Sequence, residues 1–314
     1  MKTAAFVLSL AWPAAAQALP APSPQDLTGV WTTASWTQLQ RSKDAPGLVM
    51  TEAQAEALHA AGLARQKTAG DPIGQSTSEF AERGEGYARV HGQLRSSWLV
   101  DPPNGRLPYT EATRKAVEVH AGADGPTDYD NVESRPTGER CLTAEGAGAP
   151  ILNSPDTNLL SLVQTRDALV IVSEKNHDAR IVHFEASSAP KSLEPRDPAS
   201  WMGTSVGHWH GATLIVETTN LRPGLTYLSD EVLLSDKARV TERFTRTGPD
   251  EIEYDFTVDD PGLYSRPWRG EMVFHTAAGR MFEFACHEGN YSLPGILAGG
   301  MKEKAEGRGA AQSK

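Results

Sequence analysis

The pattern of apolar and polar positions changes near residue 157, after which the two kinds of residue alternate through a series of short segments. Strict alternation places every second side chain on the same face of a β-strand. The clearest case is 251–258, where Ile252, Tyr254, Phe256 and Val258 share one face. The predicted strands are LLSLVQT, ALVIVSE, ARIVHFE, ATLIVETT, KARVTERFTRT, DEIEYDFTVDD, GEMVFHT and MFEFACHE.

Tight turns separate several of these segments, and short turns join antiparallel neighbours. A sheet of this length exposes two edges unless it closes on itself. The sequence therefore predicts a mainly β fold, an antiparallel meander that forms a lipocalin-like barrel or a strongly curved sheet. The GVW tripeptide at 29–31 is similar to the Gly-x-Trp of lipocalin-like barrels.

Two short helices are predicted in the N-terminal third of the chain. Thr51 and Gln54 form a capping-box pattern, and a run of helix-forming residues follows them. A second helix is predicted at 110–120, with a strand, LRSSWLV, between the two. Three long loops are predicted at 66–93, 121–156 and 186–211. Loops of this length usually indicate either a function or an error in the strand assignment, and we expect these to cover one mouth of the barrel.

The N-terminus has the composition of an export signal. Lys2 precedes an apolar stretch too short to span a bilayer, and AQA at 16–18 offers the small residues of a signal-peptidase site. We therefore expect a signal peptide at 1–18 and a periplasmic or secreted protein. The remaining chain divides into a Pro-rich lead-in at 19–25, a single β-rich domain at 26–300 and a disordered tail at 301–314.

Charge and composition limit the classes of partner. The chain has a net charge of −10 and no basic stripe, which disfavours binding to nucleic acid or anionic lipid. Its 39% hydrophobic and 22% charged residues are ordinary for a globular protein, and no later segment is apolar enough for a membrane span. We expect a small-molecule ligand or substrate, and no pattern indicates an oligomeric state.

The chain has two cysteines, Cys141 and Cys286. In an oxidising compartment an isolated pair is typical of one disulfide, which for so long a loop stabilises a fold by about 4–5 kcal/mol. The alternative is a nucleophilic thiol at Cys286 beside His287. We expect the disulfide, which would pin the 121–156 loop against the last predicted strand.

Two carboxylates are predicted to face the apolar side of their strands. Glu242 is in register with Val240 and Phe244, and Glu174 is in register with Val170 and Val172. A buried carboxylate costs several kcal/mol unless it is paired or protonated. Glu242 is therefore either a core acid paired with an arginine such as Arg180 or Arg243, or a general acid with a raised pKa.

A first polar cluster lies at a predicted hairpin tip, EKNHDAR at 174–180. It is either a solvated turn or half of an acid–base site. In the second case His177 is a base oriented by Asp178, and Arg180 binds an anionic or carbonyl oxygen.

A second polar cluster, CHEGNY at 286–291, follows the last predicted strand. His287 and Glu288 form an acid–base pair, and Asn290 and Tyr291 add neutral hydrogen-bonding groups. A single pair of this kind is more often structural. With two clusters at strand ends, we predict that His287 and Glu288 share one pocket with His177 and Arg180.

A metal site is a weaker hypothesis. HWH at 208–210 has the His-x-His spacing of a site on a strand, which makes His208 and His210 candidate ligands of a divalent metal. No cofactor is otherwise predicted.

Several long motifs occur in a fixed order, namely DPPNGRLPY, ERCL, SEKNHDARIV, WMGTSVGHWHGATLIVETTN, VTERFTR, TVDDPGLYSRPW and FACHEGNYSLPGILAG. Together they resemble a widespread family of exported bacterial proteins of unassigned activity, over most of residues 95–300. The family more usually has Gly-Arg-Trp-Glu-Gly-Asp where this chain has GHWHGA at 207–212, which disfavours the metal site. The positions that match the family's motifs include His177, Arg180, Glu242, His287, Glu288 and Asn290.

Two classes of function are consistent with these features. The first is an exported enzyme that uses His/carboxylate acid–base chemistry on a small apolar, aromatic or glycosidic substrate, as a lyase, isomerase or hydrolase. The second is a non-catalytic barrel that binds or carries an apolar or aromatic small molecule. The predicted catalytic residues are His177, Asp178, Arg180, Glu242, His287 and Glu288, and the predicted binding residues are Glu174, Trp209, Trp268, Asn290 and Tyr291.

Overall fold

The fold is given by a computed structural model, which describes residues 23–69, 84–121, 129–135, 137–143, 146–154, 158–185, 198–222 and 232–306. The predicted signal peptide at 1–18 lies outside the described residues. So do residues 19–22 of the predicted lead-in and residues 307–314 of the predicted tail.

The described chain is mainly β. Its helices are α1 Glu52–Ala69, α2 Glu111–Ala121, α3 Cys286–Gly289 and α4 Ser292–Ala305. Its strands are β1 Gly29–Thr32, β2 Val49–Met50, β3 Arg89–Val90, β4 Gln93–Arg95, β5 Leu99–Asp101, β6 Leu159–Gln164, β7 Ala168–Ser173, β8 Ala179–Phe184, β9 Thr204–His210, β10 Thr213–Thr219, β11 Arg239–Gly248, β12 Glu251–Asp259 and β13 Trp268–Thr276.

Nine strands close into a barrel. Hydrogen-bonded neighbours follow the order β1-β6-β7-β8-β9-β10-β11-β12-β13, and β13 returns to β1 through the pairs Trp31–Thr276 and Thr32–His275. The pairing of β8 with β9 is parallel, whereas the other barrel pairings are antiparallel. Closure satisfies the strand edges that an open sheet would expose. The predicted β-barrel is therefore confirmed, with one parallel pairing that an antiparallel meander lacks.

Alternation along β12 correctly predicts which of its residues face the barrel interior. Ile252, Tyr254, Phe256 and Val258 of β12 are all buried, and Glu253 and Asp255 between them are less so. Large side chains from the other strands occupy the rest of the interior, among them Trp31, Leu162, Ile171, Val182, Leu214, Phe244, Met272 and Phe274. The barrel is filled by its own side chains, as is usual for a small barrel.

The predicted strand MFEFACHE is wrong. Residues 281–285 have no regular structure, Cys286 begins the single turn α3, and Phe282 is 73% exposed. The edges of β13 are already paired with β12 on one side and with β1 and β5 on the other. Apolar alternation indicates only a local preference for extended structure. A segment forms a strand of a sheet only where a neighbouring strand has an unpaired edge.

Two other segments differ from the prediction. The expected loop at 186–211 contains β9, whose inward residues include the small Ser205 and Gly207, so its apolar pattern is weak. The expected disordered tail at 301–314 begins with the last turn of α4, which runs to Ala305. This helix is held in place because Gly300 packs directly on the backbone of Tyr129 and Lys304 pairs with an aspartate nearby.

The N-terminal third forms a small subassembly beside the barrel. Helices α1 and α2 are confirmed, and the capping box is present, since the Thr51 N–H donates to Gln54 Oε1 at 2.9 Å. The predicted strand LRSSWLV is divided between β4 and β5, and β2, β4 and β3 form a three-stranded sheet. Met50, Leu58 and Leu94 belong to a second, smaller apolar cluster there. Among the described helices, none is both long and apolar enough to cross a membrane.

The segment 146–154 packs on the barrel core. Ala147, Ala149 and Ile151 of this segment are buried, and the Ile151 N–H donates to the Tyr254 hydroxyl inside the barrel at 2.8 Å. Asn153 accepts a hydrogen bond from the Trp98 indole at 2.7 Å. The described end of the 121–156 loop therefore packs on the barrel core, and the expectation that the long loops cover one mouth stays a prediction.

Candidate functional site

A buried ion pair crosses the barrel interior. Arg180 of β8 and Glu242 of β11 have 1% and 0% of their side-chain surfaces exposed. The guanidinium donates from Nη1 to Oε2 at 2.6 Å and from Nη2 to Oε1 at 2.8 Å. Strands β9 and β10 lie between β8 and β11, so the pair spans the interior. The inward orientation of Glu242 is confirmed, and its arginine partner is Arg180.

Neighbouring polar groups extend this pair into a network. The Tyr254 hydroxyl donates to Glu242 Oε1 at 2.7 Å and accepts the Ile151 N–H at 2.8 Å. Arg180 Nη1 also lies 3.4 Å from Thr218 Oγ1. Glu242 thus accepts three hydrogen bonds without contact with solvent. Such a set of contacts fixes the positions of the strands that contribute it.

The electrostatics of the network favour a fixed protonation state. Burial and the Glu242 carboxylate raise the pKa of Tyr254 well above its usual value, so the phenol stays protonated and remains a donor. Burial alone would lower the pKa of Arg180, but the charge of Glu242 and the hydrogen bonds to it raise that pKa on balance. The geometry fits the structural interpretation of Glu242, and catalytic roles for Arg180 and Glu242 stay predictions.

The two polar clusters predicted to share a pocket lie in neighbouring segments. Glu174 Oε2 accepts the Phe282 N–H at 2.8 Å, which joins the β7–β8 connection to the segment at 281–291. Asp178 Oδ2 accepts the Thr143 hydroxyl at 2.8 Å. Because β7 ends at Ser173 and β8 begins at Ala179, these contacts lie at one end of the barrel.

A disulfide holds the same region together. Cys141 and Cys286 are bonded, with their Cα atoms 5.8 Å apart, so the predicted disulfide is confirmed. Asn290 Nδ2 donates to the Glu139 carbonyl oxygen at 2.7 Å and lies 3.4 Å from Cys141 Sγ. The pinning of the 121–156 loop is therefore confirmed, although its partner is the turn α3 and the segment before it. The predicted binding residue Asn290 has a structural contact here.

The acid–base side chains of these clusters lie on the protein surface. His177, His287 and Glu288 are exposed, and Tyr291 is 84% exposed. No described hydrogen bond or ion pair links His177 to His287 or Glu288. The shared pocket and the catalytic roles of His177, Asp178, His287 and Glu288 stay predictions, as does the binding role of Tyr291.

The orientation predicted for Glu174 is wrong. The inward residues of β7 are Leu169, Ile171 and Ser173, so Val170 and Val172 face outward. Glu174 lies beyond the end of the strand, half-buried, with its carboxylate on the Phe282 N–H. Alternation gave the correct period but the opposite face, because a one-residue shift exchanges the two faces of a strand.

The backbone of the β7–β8 connection is unusual. Asn176 and His177 have φ angles of 60° and 52°, in the left-handed region that residues other than glycine seldom adopt. The amide of Asn176 is buried and has no hydrogen-bond partner among the described residues. Consecutive left-handed residues turn the chain sharply, which directs His177 outward and leaves Arg180 inside the barrel.

The predicted aromatic contacts occupy two different environments. Trp209 points inward from β9, is half-buried and meets the Phe184 ring edge to face at a centroid distance of 6.4 Å. Trp268 is completely buried, with Phe256 and Tyr264 each 5.7 Å away. Trp268 is thus a core residue in this conformation. Binding roles for Trp209 and Trp268 stay predictions.

The weak metal hypothesis gains no support from the described part of the chain. His208 and His210 are exposed on the outer face of β9, and alternation separates them from the inward Trp209. Within the described ranges, no three His, Cys, Asp or Glu side chains converge to hold a metal ion. A metal requirement therefore remains an untested hypothesis.

A concave site lies outside the barrel, in the N-terminal subassembly. We call it the Trp36 cleft. Its volume is about 410 Å³, within the usual range for small-molecule sites. Its lining consists of Trp36, Gln38, Gln40, Arg41, Ser42, Lys43, Leu58, Tyr87, Ser96 and Arg106. The cleft thus combines aromatic rings, amides and hydroxyls with three cationic side chains.

The Trp36 indole is held in a fixed orientation. Its Nε1 donates to the Gly84 carbonyl oxygen at 3.0 Å, and the His59 ring of α1 stacks on it at a centroid distance of 3.5 Å and an interplanar angle of 4°. The Tyr87 ring meets it edge to face at 5.8 Å. An aromatic ring that is already positioned loses little conformational entropy when a ligand packs on it.

The turn at 102–106 positions Arg41 at the edge of the cleft. The Arg41 N–H donates to the Gly105 carbonyl oxygen at 3.0 Å, and its Nη1 donates to the Pro103 carbonyl oxygen at 3.0 Å. Gly105 has a φ of 69°, and a Cβ at this position would overlap the Arg41 side chain. A glycine is therefore required both for the turn and for the position of Arg41.

Sequence reasoning did not find the Trp36 cleft. A signal was present in residues 33–40, where Thr33, Ser35, Thr37 and Leu39 are buried and Trp36, Gln38 and Gln40 alternate with them. This alternation places a tryptophan and two amides on one face of an extended segment. The other contributors come from 41–43, from α1, from 87–96 and from Arg106, and only the tertiary structure brings them together.

Comparisons with known proteins do not assign a family. No protein-family model matches the chain, and no curated protein matches it significantly. The resemblance to a family of exported bacterial proteins stays a prediction from the motifs, and the geometry of the site carries the functional argument.

Proposed function

We propose that this protein binds a small organic molecule in the Trp36 cleft. The observation that carries the proposal is a cleft of about 410 Å³ whose aromatic wall, Trp36, is fixed by a hydrogen bond and a stacked ring. Concave sites of this size with a few convergent polar groups are the usual form of ligand sites. The proposal retains the binding class expected from the sequence and moves its site from the barrel interior to the outer cleft.

The packing of the barrel supports this choice of site. A carrier of the lipocalin kind holds its ligand among the inward side chains, but here those positions are taken by residues such as Phe244, Tyr254 and Phe274, which have no exposed surface. Tyr254 and Phe274 lie 5.0 Å apart between ring centroids. A ligand in the barrel would have to displace this core, whereas the cleft is open to solvent.

Ligand-observed NMR with a library of small aromatic and aliphatic compounds tests the proposal. We expect saturation transfer from the protein to a set of ring compounds, and loss of the signal for the same set in Trp36→Leu. Gln38→Trp should block the cleft without removing its wall, and it provides a second test if Trp36→Leu folds poorly. The matched control is Trp201→Leu, because Trp201 is also partly exposed but contacts Arg222 outside the cleft. Equal binding by wild type, Trp36→Leu and Gln38→Trp would refute the site.

A second candidate function is acid–base catalysis at the barrel end, as a lyase, isomerase or hydrolase. Its support is the contact between the β7–β8 connection and the segment at 281–291 through Glu174 and the Phe282 N–H. His177 would serve as the base and His287 with Glu288 as the acid. Mass spectrometry of a bacterial culture extract incubated with the protein would reveal consumed metabolites. For any that is found, His177→Asn should reduce turnover by roughly 10²–10⁴, and an unchanged rate would contradict the assignment.

A further inference from the structure

The Trp36 cleft concentrates positive charge in an acidic protein. Arg41, Lys43 and Arg106 all line it, although the chain has a net charge of −10. Among the described residues, no carboxylate lies within ion-pair distance of any of the three, whereas Arg65 nearby pairs with Asp44. The three cations of the cleft therefore have no ion-pair partner among the described residues.

The two arginines repel each other in a partly buried setting. Burial lowers the pKa of Arg41, and the positive charge of Arg106 lowers it further. The contacts of Arg41 with Pro103 and Gly105 nevertheless hold it beside Arg106. An anion bound between the two guanidinium groups would relieve this repulsion.

We propose that the ligand of the Trp36 cleft is an organic anion, with its oxyanion group between Arg41 and Arg106 and a planar apolar body against Trp36. The inference rests on the binding function proposed above and assigns the ligand its chemical class. Gln38 offers an amide for a neutral polar group of the same ligand, whereas Gln40 Oε1 already accepts the Leu107 N–H at 3.0 Å. Guanidinium groups suit carboxylate, sulfonate and phosphate oxygens alike, so the common requirement is one anionic oxygen group beside a ring.

The size and charge of the site favour a small anion over a polymer. The net charge of −10 repels a polyanion at long range, and a cleft of about 410 Å³ accommodates a ligand of one or two rings. Short-range contact with three cations still favours a single anionic group.

The test is a calorimetric comparison of 2-naphthoate with 2-naphthamide, which differ in charge but share the ring system. We expect 2-naphthoate to bind roughly 10- to 100-fold more tightly than the amide, since hydrogen bonds to charged groups are stronger than neutral ones. Arg106→Gln should reduce naphthoate affinity by about tenfold or more and reduce amide affinity much less, because a hydrogen bond to a neutral carbonyl oxygen is weaker than one to a carboxylate. Raised salt should weaken binding of naphthoate alone.

The control variant is Arg239→Gln, which removes an arginine that pairs with Glu217 on the barrel and does not line the cleft. It should bind both compounds as the wild type does. Equal affinities for naphthoate and naphthamide, with both lost in Trp36→Leu, would overturn the anion assignment and leave the binding function standing. No binding of either compound, together with no Trp36-dependent hit in the NMR library, would overturn both.

Discussion

Removing one half of the buried ion pair should destabilise the protein far more than removing both halves. In Arg180→Met, Glu242 keeps only one of its three hydrogen bonds and stays without access to water. An uncompensated buried charge of this kind costs about 3–5 kcal/mol. Total stabilities of domains are roughly 5–15 kcal/mol, so this one change removes a large share.

The double variant Arg180→Met/Glu242→Leu should regain much of this loss. It buries no charge, and apolar replacements of buried pairs are often close to neutral. One polar group remains affected, because the Tyr254 hydroxyl still accepts the Ile151 N–H but no longer has Glu242 as its acceptor. A buried donor without a partner costs about 1–3 kcal/mol, which sets the expected residual deficit.

Urea unfolding at pH 7 with the disulfide intact measures these differences. Tryptophan fluorescence and far-UV circular dichroism should give coincident transitions, and unchanged m-values would allow the midpoints to be compared. The matched control is Arg239→Met, whose partner Glu217 is 2.9 Å away but whose side chain is 50% exposed, so its loss should cost at most about 1 kcal/mol. A cost below about 1 kcal/mol for Arg180→Met, or a double variant no more stable than the single one, would refute this reasoning.

Two further predictions concern the faces of β12 and β13. Gly270→Ala should destabilise by about 1–3 kcal/mol, because its Cβ would overlap the Phe256 ring. The control Gly299→Ala has open space around it in helix α4, so it should not destabilise and should gain up to about 1 kcal/mol of helix propensity in the same thermal unfolding measurements. Burial and the facing Glu271 raise the pKa of Asp255 above 3.8, so the folded protein holds this proton more tightly than the unfolded chain. The free energy of unfolding should therefore fall as pH rises from 3.8 through the raised pKa. At pH 7 the Asp255→Asn variant should be more stable than the wild type by about 0.2–1 kcal/mol, because it removes one of two like charges that face each other across the strands. If the difference between the unfolding midpoints of the wild type and Asp255→Asn is zero throughout pH 4 to 8, the raised pKa of Asp255 is contradicted.

The sequence by itself determined the type of fold and most of its local structure. The period-two pattern of segments such as 251–258 is a property of single strands, so it predicted the buried residues of β12 without knowledge of their neighbours. The capping box at Thr51 and Gln54 is equally local and placed the start of α1. Two cysteines allow one intramolecular pairing, which made the disulfide predictable as well.

Tertiary structure decided which segments joined the sheet. MFEFACHE has the alternation of a strand, but the edges of β13 are paired with β1, β5 and β12, and the segment packs against the Cys141 region instead. The segment TSVGHWH has little apolar alternation and still forms β9, since small inward residues fit beside the larger side chains of β8 and β10. Which segment pairs with a strand edge, and which side chains fit the interior, depends on segments that are distant in the chain.

The candidate site depended on tertiary structure most strongly. An inward Glu242 was predictable from register, and Arg180 was one of the two arginines named as its partner. Only the tertiary structure decided for Arg180 over Arg243, because Arg180 is three strands away and meets Glu242 across the interior. The Trp36 cleft joins residues from 36–43, α1, 87–96 and the turn that ends at Arg106. Alternation specifies which way a side chain points. Only the packing of separate segments specifies what it meets, because the contacts that build a cleft connect positions whose spacing along the chain follows no period.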